Sequence, residues 1–309
     1  MTRVTIADPE EWETVLPLLF ADSPPAEQAA HVRDVLESAR RGEISLDGLL
    51  AARQGGMTVG VALYVQQPDE TIFVWPPSVS IAADDADLIV DRLLAEIRQH
   101  VDRSGAWLAQ CLLATESVAD RAALSRNGFP HLADLHYLRC SLAEPLAPLA
   151  RDRFQTEIYR PPETTDRFAR VLERTYAGSL DCPALDGLRS GEQALRSHRA
   201  AGVFDPARWK IYRVAESDVG LLLLNAHTDQ NVWEVVYMGI VPEARGQGYG
   251  RAMLLAGLHE AQAAGCDSVL LAVDGRNHFA INVYESLGFR EWMVLAVHTR
   301  AGTTTDSER

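Results

Sequence analysis

Residues 236–250, VYMGIVPEARGQGYG, constrain this chain more than any other stretch. An apolar strand runs directly into Pro242-Glu243 and a glycine-rich turn, and a helical pattern starts there. Gly246, Gly248 and Gly250 remove side chains where a ligand must approach the backbone. The first amides of a helix have no acceptor within it, and the helix dipole adds about half a positive charge at that end. Such a turn suits a pyrophosphate. Ile240 and Val241 deliver the chain to the turn. Gln247 and Tyr249 contribute mainly their amides, and Arg245 and Arg251 are placed to supplement the charge.

The phosphate ligand can be narrowed by exclusion. A Walker loop ends in Gly-Lys-Ser/Thr, which is absent. A dinucleotide fingerprint needs G-x-G-x-x-G/A. Counted from Gly246 the sixth position is Arg251, and counted from Gly248 it is Met253, so both fail.

Around this motif the chain reads as two halves with a related element order. The first half shows strand patterns at 4–6, 49–53, 59–66, 71–75, 107–113 and 136–142, with helical patterns between 9 and 40, over 84–101 and over 118–127. Residues 144–154, which hold Pro145, Pro148 and two alanines, read as a linker. The second half repeats the scheme. Strands are expected at 155–159, 210–215, 219–226, 232–241, 268–273 and 292–299, and helices at 164–175, up to 202, 248–264 and 279–287. Gly265 is placed to stop the long helix. The segments ALSRNGF (123–129) and VYESLGF (283–289) echo one another before each closing strand. Domains are therefore expected at 1–143 and 155–300, with a flexible tail at 301–309.

A length of 309 residues accommodates two domains of roughly 150. The net charge of -14 lacks the basic field of a generic nucleic-acid binder and is compatible with a cationic substrate. Cys111, Cys140, Cys182 and Cys266 form no C-x-x-C pair, and His259-Glu260 has no second histidine four residues on, so no metal is expected. No stretch approaches the roughly 20 apolar residues that span a bilayer. The N-terminus turns acidic at once. A cytoplasmic protein without membrane or nucleic-acid partners is expected, and its oligomeric state is not legible.

Two motifs in order resemble the GNAT superfamily of N-acetyltransferases. The family loop Q/R-x-x-G-x-G/A is met by Arg245, Gly248 and Gly250. The later hallmark of Asn, Ala and Tyr ahead of Leu-Gly-Phe is met by Asn277, Ala280, Tyr284 and Leu287-Gly288-Phe289. The resemblance covers about 155–300. It implies an α/β (α+β) fold of two tandem GNAT-like domains, each with a mixed, largely antiparallel central sheet flanked by helices. It also implies acetyl-CoA as the donor and direct attack by an amine acceptor, a small molecule or a peptide, in a ternary complex. The first half resembles the same fold without its working parts. After Trp75 it reads PPSVSIAADDADL, with no arginine, no glycine turn and three aspartates, which implies a degenerate copy.

The resemblance assigns roles that can be set beside plainer ones. Tyr284 is implied as the general acid that protonates the leaving thiolate; the alternative is an aromatic packing on an amphipathic helix. Glu234 lies six residues before Ile240, where the histone-acetylating branch carries its base. Alternation places it on one strand face with Val236, Met238 and Ile240. An amine of pKa about 10 must lose a proton before it attacks, which makes a carboxylate useful. The alternative is a solvated strand charge. The Met238 amide is implied as oxyanion donor, with Gly239 easing a bulge there, against an ordinary ladder amide. Asn277 either bonds the pantetheine arm or caps the next helix. Asp181, Cys182 and Arg189 fall in the irregular segment that lines the family's acceptor site. Trp209 and Trp233 read as core. A module that senses acetyl-CoA without turnover, and a Rossmann-like phosphate enzyme, are the competing functional classes.

Overall fold

The computed structural model describes residues 2–80, 83–149 and 153–302. Residues 150–152 of the expected linker and 303–309 of the expected tail lie outside the described residues. The chain divides into two compact units: one runs up to Leu132 and resumes at Ala296, and the other is Ala133–Leu295.

In the first unit, β1 (Arg3–Ile6), β2 (Leu49–Gln54), β3 (Met57–Gln66) and β4 (Thr71–Val79) pair antiparallel in sequence order. β5 (Leu108–Ala114) then joins β4 in parallel. α1 (Trp12–Leu19) and α2 (Pro25–Arg40) precede β2. α3 (Ala86–Ser104) buries Ile89, Leu93, Leu94, Ile97 and Val101, the stripe of an amphipathic helix laid on a sheet. α4 (Val118–Arg126) follows β5. The strand β4 runs through Pro76-Pro77, beyond its sequence-predicted end at 75, and its pairing with β3 shifts register there.

The second unit has the same plan. β7 (Gln155–Ile158), β8 (Trp209–Val214), β9 (Ser217–His227) and β10 (Val232–Ile240) are antiparallel. β11 (Ser268–Asp274) is parallel to β10, but the pairing covers only Val232 to Glu234. Beyond Glu234 the register between these two strands stops. One face is covered by α5 (Thr165–Tyr176), which buries Phe168, Ala169, Val171, Leu172 and Thr175, and by α6 (Gly191–Ala200). Ser190 caps α6, accepting from Gln193 N–H at 3.2 Å, while the Gln193 side chain accepts from Ser190 N–H at 2.9 Å. On the other face lies α7 (Tyr249–Ala263). A Cβ at Gly257 would stand 2.8 Å from Leu222 Cδ2, so the helix sits closer to the sheet than alanine permits. Gly265, at φ +82°, ends it. α8 (His278–Ser286) follows β11. Trp209, fully buried, donates its indole N–H to Asn225 Oδ1 at 2.9 Å, and Trp233 is also buried.

Two closing strands depart from the sequence-based boundaries. β6 (His131–Ser141), expected to end a first domain at 143, pairs antiparallel with β11 from Ser141↔Ser268 to Leu135↔Asp274. Its Leu138 and Cys140 join the core of the second unit. β12 (Arg290–Ala301) contributes its residues from Ala296 to the first unit, where Arg300 forms a bidentate pair with Asp102 at 2.7 and 2.9 Å. The reason is general. Strand pairing is set by which edge and which apolar groove match, not by proximity in sequence.

Candidate active site

β10 ends in a turn over Pro242–Ala244 and then in Gly246 and Gly248, whose φ angles are 76° and 71°. That left-handed conformation favours glycine. The first bond inside α7 runs from Ala252 N–H to Gly248 C=O at 3.3 Å, so the helical amides before it have no acceptor within the helix. They open onto a cleft of about 560 Å³. Met238 and Ile240 form one wall, α8 supplies Asn277 and Tyr284, and Asp181 reaches in from the loop after α5. Of the sequence-named donor-site and catalytic residues, all line this cleft except Glu234, Val241 and Gln247.

β10 carries a bulge, but not at Gly239. The register shifts between Val235 and Tyr237, leaving Val236 as the extra residue, while Gly239 pairs regularly with Leu221. The bulge inverts the alternation. Glu234, Tyr237 and Gly239 face α5, where Tyr237 Oη lies 2.7 Å from Thr175 Oγ1. Met238 and Ile240 face α7, beside Gly250. The expectation that Glu234 shares a face with Met238 and Ile240 is therefore overturned. Glu234 instead binds His227 Nε2 through its Oε2 at 2.7 Å. Val241, fully buried, donates its N–H to Val219 C=O at 3.1 Å. Amide direction alternates along an antiparallel strand, so Met238 turns its N–H to the opposite edge, where β11 has already parted from β10.

Tyr284 is 7% exposed, and its ring packs against Phe289 at 5.9 Å. Burial, and secondarily the charge of Asp181, push its phenol above the usual tyrosine value, so the hydroxyl keeps its proton at neutral pH. Burial likewise raises Tyr237. His198, whose ring lies 5.2 Å from that of Tyr237, is pushed down by burial to about 3 and stays neutral.

Residues 185–289 match the acetyltransferase (GNAT) family. The matched segment lies within the second unit and holds the glycine turn, β11 and Tyr284. The chain is 28% identical to a mycothiol acetyltransferase of Rhodococcus jostii over 91% of this chain and 98% of that protein. It is 29% identical to one of Streptomyces griseus over 85% and 88% respectively. The match to the Thermobispora bispora mycothiol acetyltransferase, 40% identical, spans only 35% of that protein. A GCN5-related N-acetyltransferase from Sphaerobacter thermophilus shares the fold at a TM-score of 0.63 and 16% identity over 99% of this chain and 98% of that one. A tandem GNAT protein from the clavulanic acid biosynthesis pathway superposes at 0.50 and 15% identity, over 99% and 100%.

Within this site several side chains do something other than the sequence suggests. Arg245 does not add charge to the cradle. Its guanidinium donates to the carbonyls of Ile240 (3.2 Å), Gly178 (3.1 Å) and Thr175 (2.9 Å), which ties the end of α5 to the glycine turn. Arg251 bonds Ser286 Oγ at 3.3 Å, bridging α7 and α8. Arg153, assigned from sequence to the linker, lies against the turn: it donates to Gln247 C=O at 2.8 Å and stacks over the Tyr249 ring at 5.1 Å. No spacing rule marks it. Cys182 is held off the cleft with its thiol pushed up to about 12 by burial, and Arg189 does not line the cleft. Among the described residues no group of three or more His, Cys, Asp or Glu is arranged to hold a metal ion, and no helix is long and apolar enough to cross a membrane.

Asn277 caps α8, its Oδ1 accepting from Ala280 N–H at 3.3 Å. Asn277→Ala should cost about 1 kcal/mol of stability, read as a lowered midpoint in thermal unfolding. A loss of acetyl-CoA affinity at unchanged stability would assign the side chain to the donor instead.

Proposed function

We propose that the cleft of the second unit binds acetyl-CoA and passes its acetyl group to the amine of a small, mycothiol-related acceptor by direct attack in a ternary complex. The observation that carries this reading is that orphan helix amides, an outward-turned strand amide and a buried, protonated tyrosine line one cleft. The names of relatives aligned along nearly the whole chain supply the acceptor class.

Each residue then has a task. The amides of Gly248, Tyr249 and Gly250 take the donor pyrophosphate. The Met238 N–H donates to the thioester oxygen as it gains charge; a donor of this kind is worth about 3 kcal/mol of barrier. Tyr284 gives its proton to the departing sulfur. Glu234, bonded to His227 where β10 and β11 part, assists proton removal through water. The four free thiols suit a reducing compartment, which supports a cytoplasmic place.

We read the first unit as a degenerate copy. β4 carries Pro76-Pro77, which have no N–H to donate. α3 opens beside Asp84, Asp85 and Asp87, which would repel a pyrophosphate.

The test is CoA thiol release on mixing the protein with acetyl-CoA and a panel of amines that includes mycothiol-related ones. Release with a mycothiol-related amine is expected. Tight acetyl-CoA binding with no release for any amine would favour a sensing module.

A further inference from the structure

We propose that Asp181 is the catalytic carboxylate that receives the acceptor's ammonium group and takes its proton before acetyl transfer. This rests on the acetyl-transfer reading, in which Glu234 only assists through water, and names the group that meets the ammonium directly.

Asp181 is the only carboxylate among the described residues lining the cleft; the other ionisable side chains there are Tyr237, Tyr249, Tyr284, Arg245 and Arg251. Both arginines are occupied by bonds to neighbouring segments. A cationic amine entering this cleft therefore has one anionic side chain to meet. Glu234 lies outside the lining and is engaged by His227.

The carboxylate is also fixed in place. Asp181 Oδ1 accepts from Asp274 N–H at 2.9 Å, and Asp274 Oδ2 accepts in return from Cys182 N–H at 3.1 Å. Asp274 is itself buried and held by Arg276 Nε at 3.0 and 3.1 Å. Asp181 N–H donates to Ser179 Oγ at 3.1 Å. These bonds hold the loop after α5 against the end of β11. Among the described residues no hydrogen bond engages Asp181 Oδ2, which leaves that oxygen for a ligand.

Its surroundings suit a base. Although the residue opens to the cleft, protein surrounds it closely, and that burial raises its carboxyl above the usual range. The groups facing it are Asp274, whose backbone N–H lowers it and whose charge raises it, Arg276, which lowers it, the neutral Tyr284 and Tyr237, and the protonated thiol of Cys182. A carboxylate made more basic accepts an ammonium proton more readily.

The step balances as follows. One ammonium proton passes to Asp181 and on to solvent. The nitrogen lone pair forms the C–N bond, and the C–S pair leaves on sulfur, which takes the Tyr284 proton. A second nitrogen proton restores the Tyr284 hydroxyl, leaving the amide, CoA thiol and one proton in solution.

The experiment compares kcat/KM against pH, from about 6 to 9.5, for the wild type, Asp181→Asn, Asp181→Glu and Glu234→Gln with one accepted amine, alongside acetyl-CoA affinity by calorimetry. Asp181→Asn should lose about 10²-fold near pH 6.5, recover toward the wild type as free amine becomes abundant, and bind acetyl-CoA normally. Asp181→Glu should keep the wild-type profile shape at reduced rate. Glu234→Gln should lose less, about 10-fold or under. A constant Asp181→Asn ratio across pH, an undiminished rate, or the pH-dependent deficit appearing in Glu234→Gln instead would overturn the assignment. An Asp181→Asn protein that fails to fold leaves Asp181→Glu as the deciding variant, and a changed profile shape there overturns the assignment. A wild type that binds acetyl-CoA and acetylates no amine would instead sink the acetyl-transfer reading.

Discussion

Gly248→Asp is expected to abolish acetyl-CoA binding in a protein that still folds. Gly248 adopts φ +71°, a conformation that aspartate tolerates better than most residues, so the backbone cost is about 1 kcal/mol. Space is available, because a Cβ there meets nothing nearer than Arg153 Nη2 at 3.7 Å. The damage is electrostatic. The new carboxylate enters the turn whose amides are assigned to the pyrophosphate. Two unit charges about 4 Å apart repel by about 4 kcal/mol at an effective dielectric near 20, roughly a thousandfold in affinity. Gly248→Ala carries the conformational cost without the charge and should lose far less. Calorimetry with acetyl-CoA separates the two variants, and the wild type should bind one equivalent per chain. Undiminished binding by Gly248→Asp, or two equivalents in the wild type, would contradict the assignment of the turn and of the first unit.

Tyr284→Phe should lower turnover by about 10²-fold or more at unchanged acetyl-CoA affinity. The substitution keeps the ring, its burial and its contact with Phe289, and deletes only the hydroxyl. Burial raises the Tyr284 phenol. The acid is active when protonated, so a raised value moves the alkaline loss of activity upward, beyond the ordinary tyrosine value of about 10. The wild type should thus show no alkaline limb from this group below about pH 10, and the Tyr284→Phe deficit should be constant across neutral pH. The check is single-turnover kinetics, in which product release does not mask the chemical step. An unchanged rate there would return Tyr284 to a packing role.

What the sequence made legible is what local chemistry determines. The turn at Gly246 and Gly248 was visible because a left-handed backbone favours glycine. The α8 cap at Asn277 was visible because a short polar side chain ahead of a helix satisfies an orphan amide. Element order followed from periodicity, and α5, α7 and α8 fall within two residues of their expected bounds. Three features were not legible. The bulge at Val236 lies within an uninterrupted apolar run, where neither strand face is marked by polarity, so the side to which Glu234 turns could not be read. The pairing of β6 with β11 joins residues far apart in sequence, which no local pattern encodes. The Arg245 guanidinium was assigned to phosphate by charge, yet three carbonyls left open at the ends of α5 and β10 claim it. Asp181 was singled out only as part of a polar loop; its tie to Asp274 required the fold.

Acetyl accounting on the intact protein tests the central claim most directly. Acetyl-CoA labelled in its acetyl group is mixed with the chain and a mycothiol-related amine, and the label and the free CoA thiol are followed together. The account predicts label on the amine nitrogen in equal amount to thiol released, with both signals lost in Gly248→Asp. Thiol release without label on nitrogen, or label transfer that survives Gly248→Asp, would contradict it.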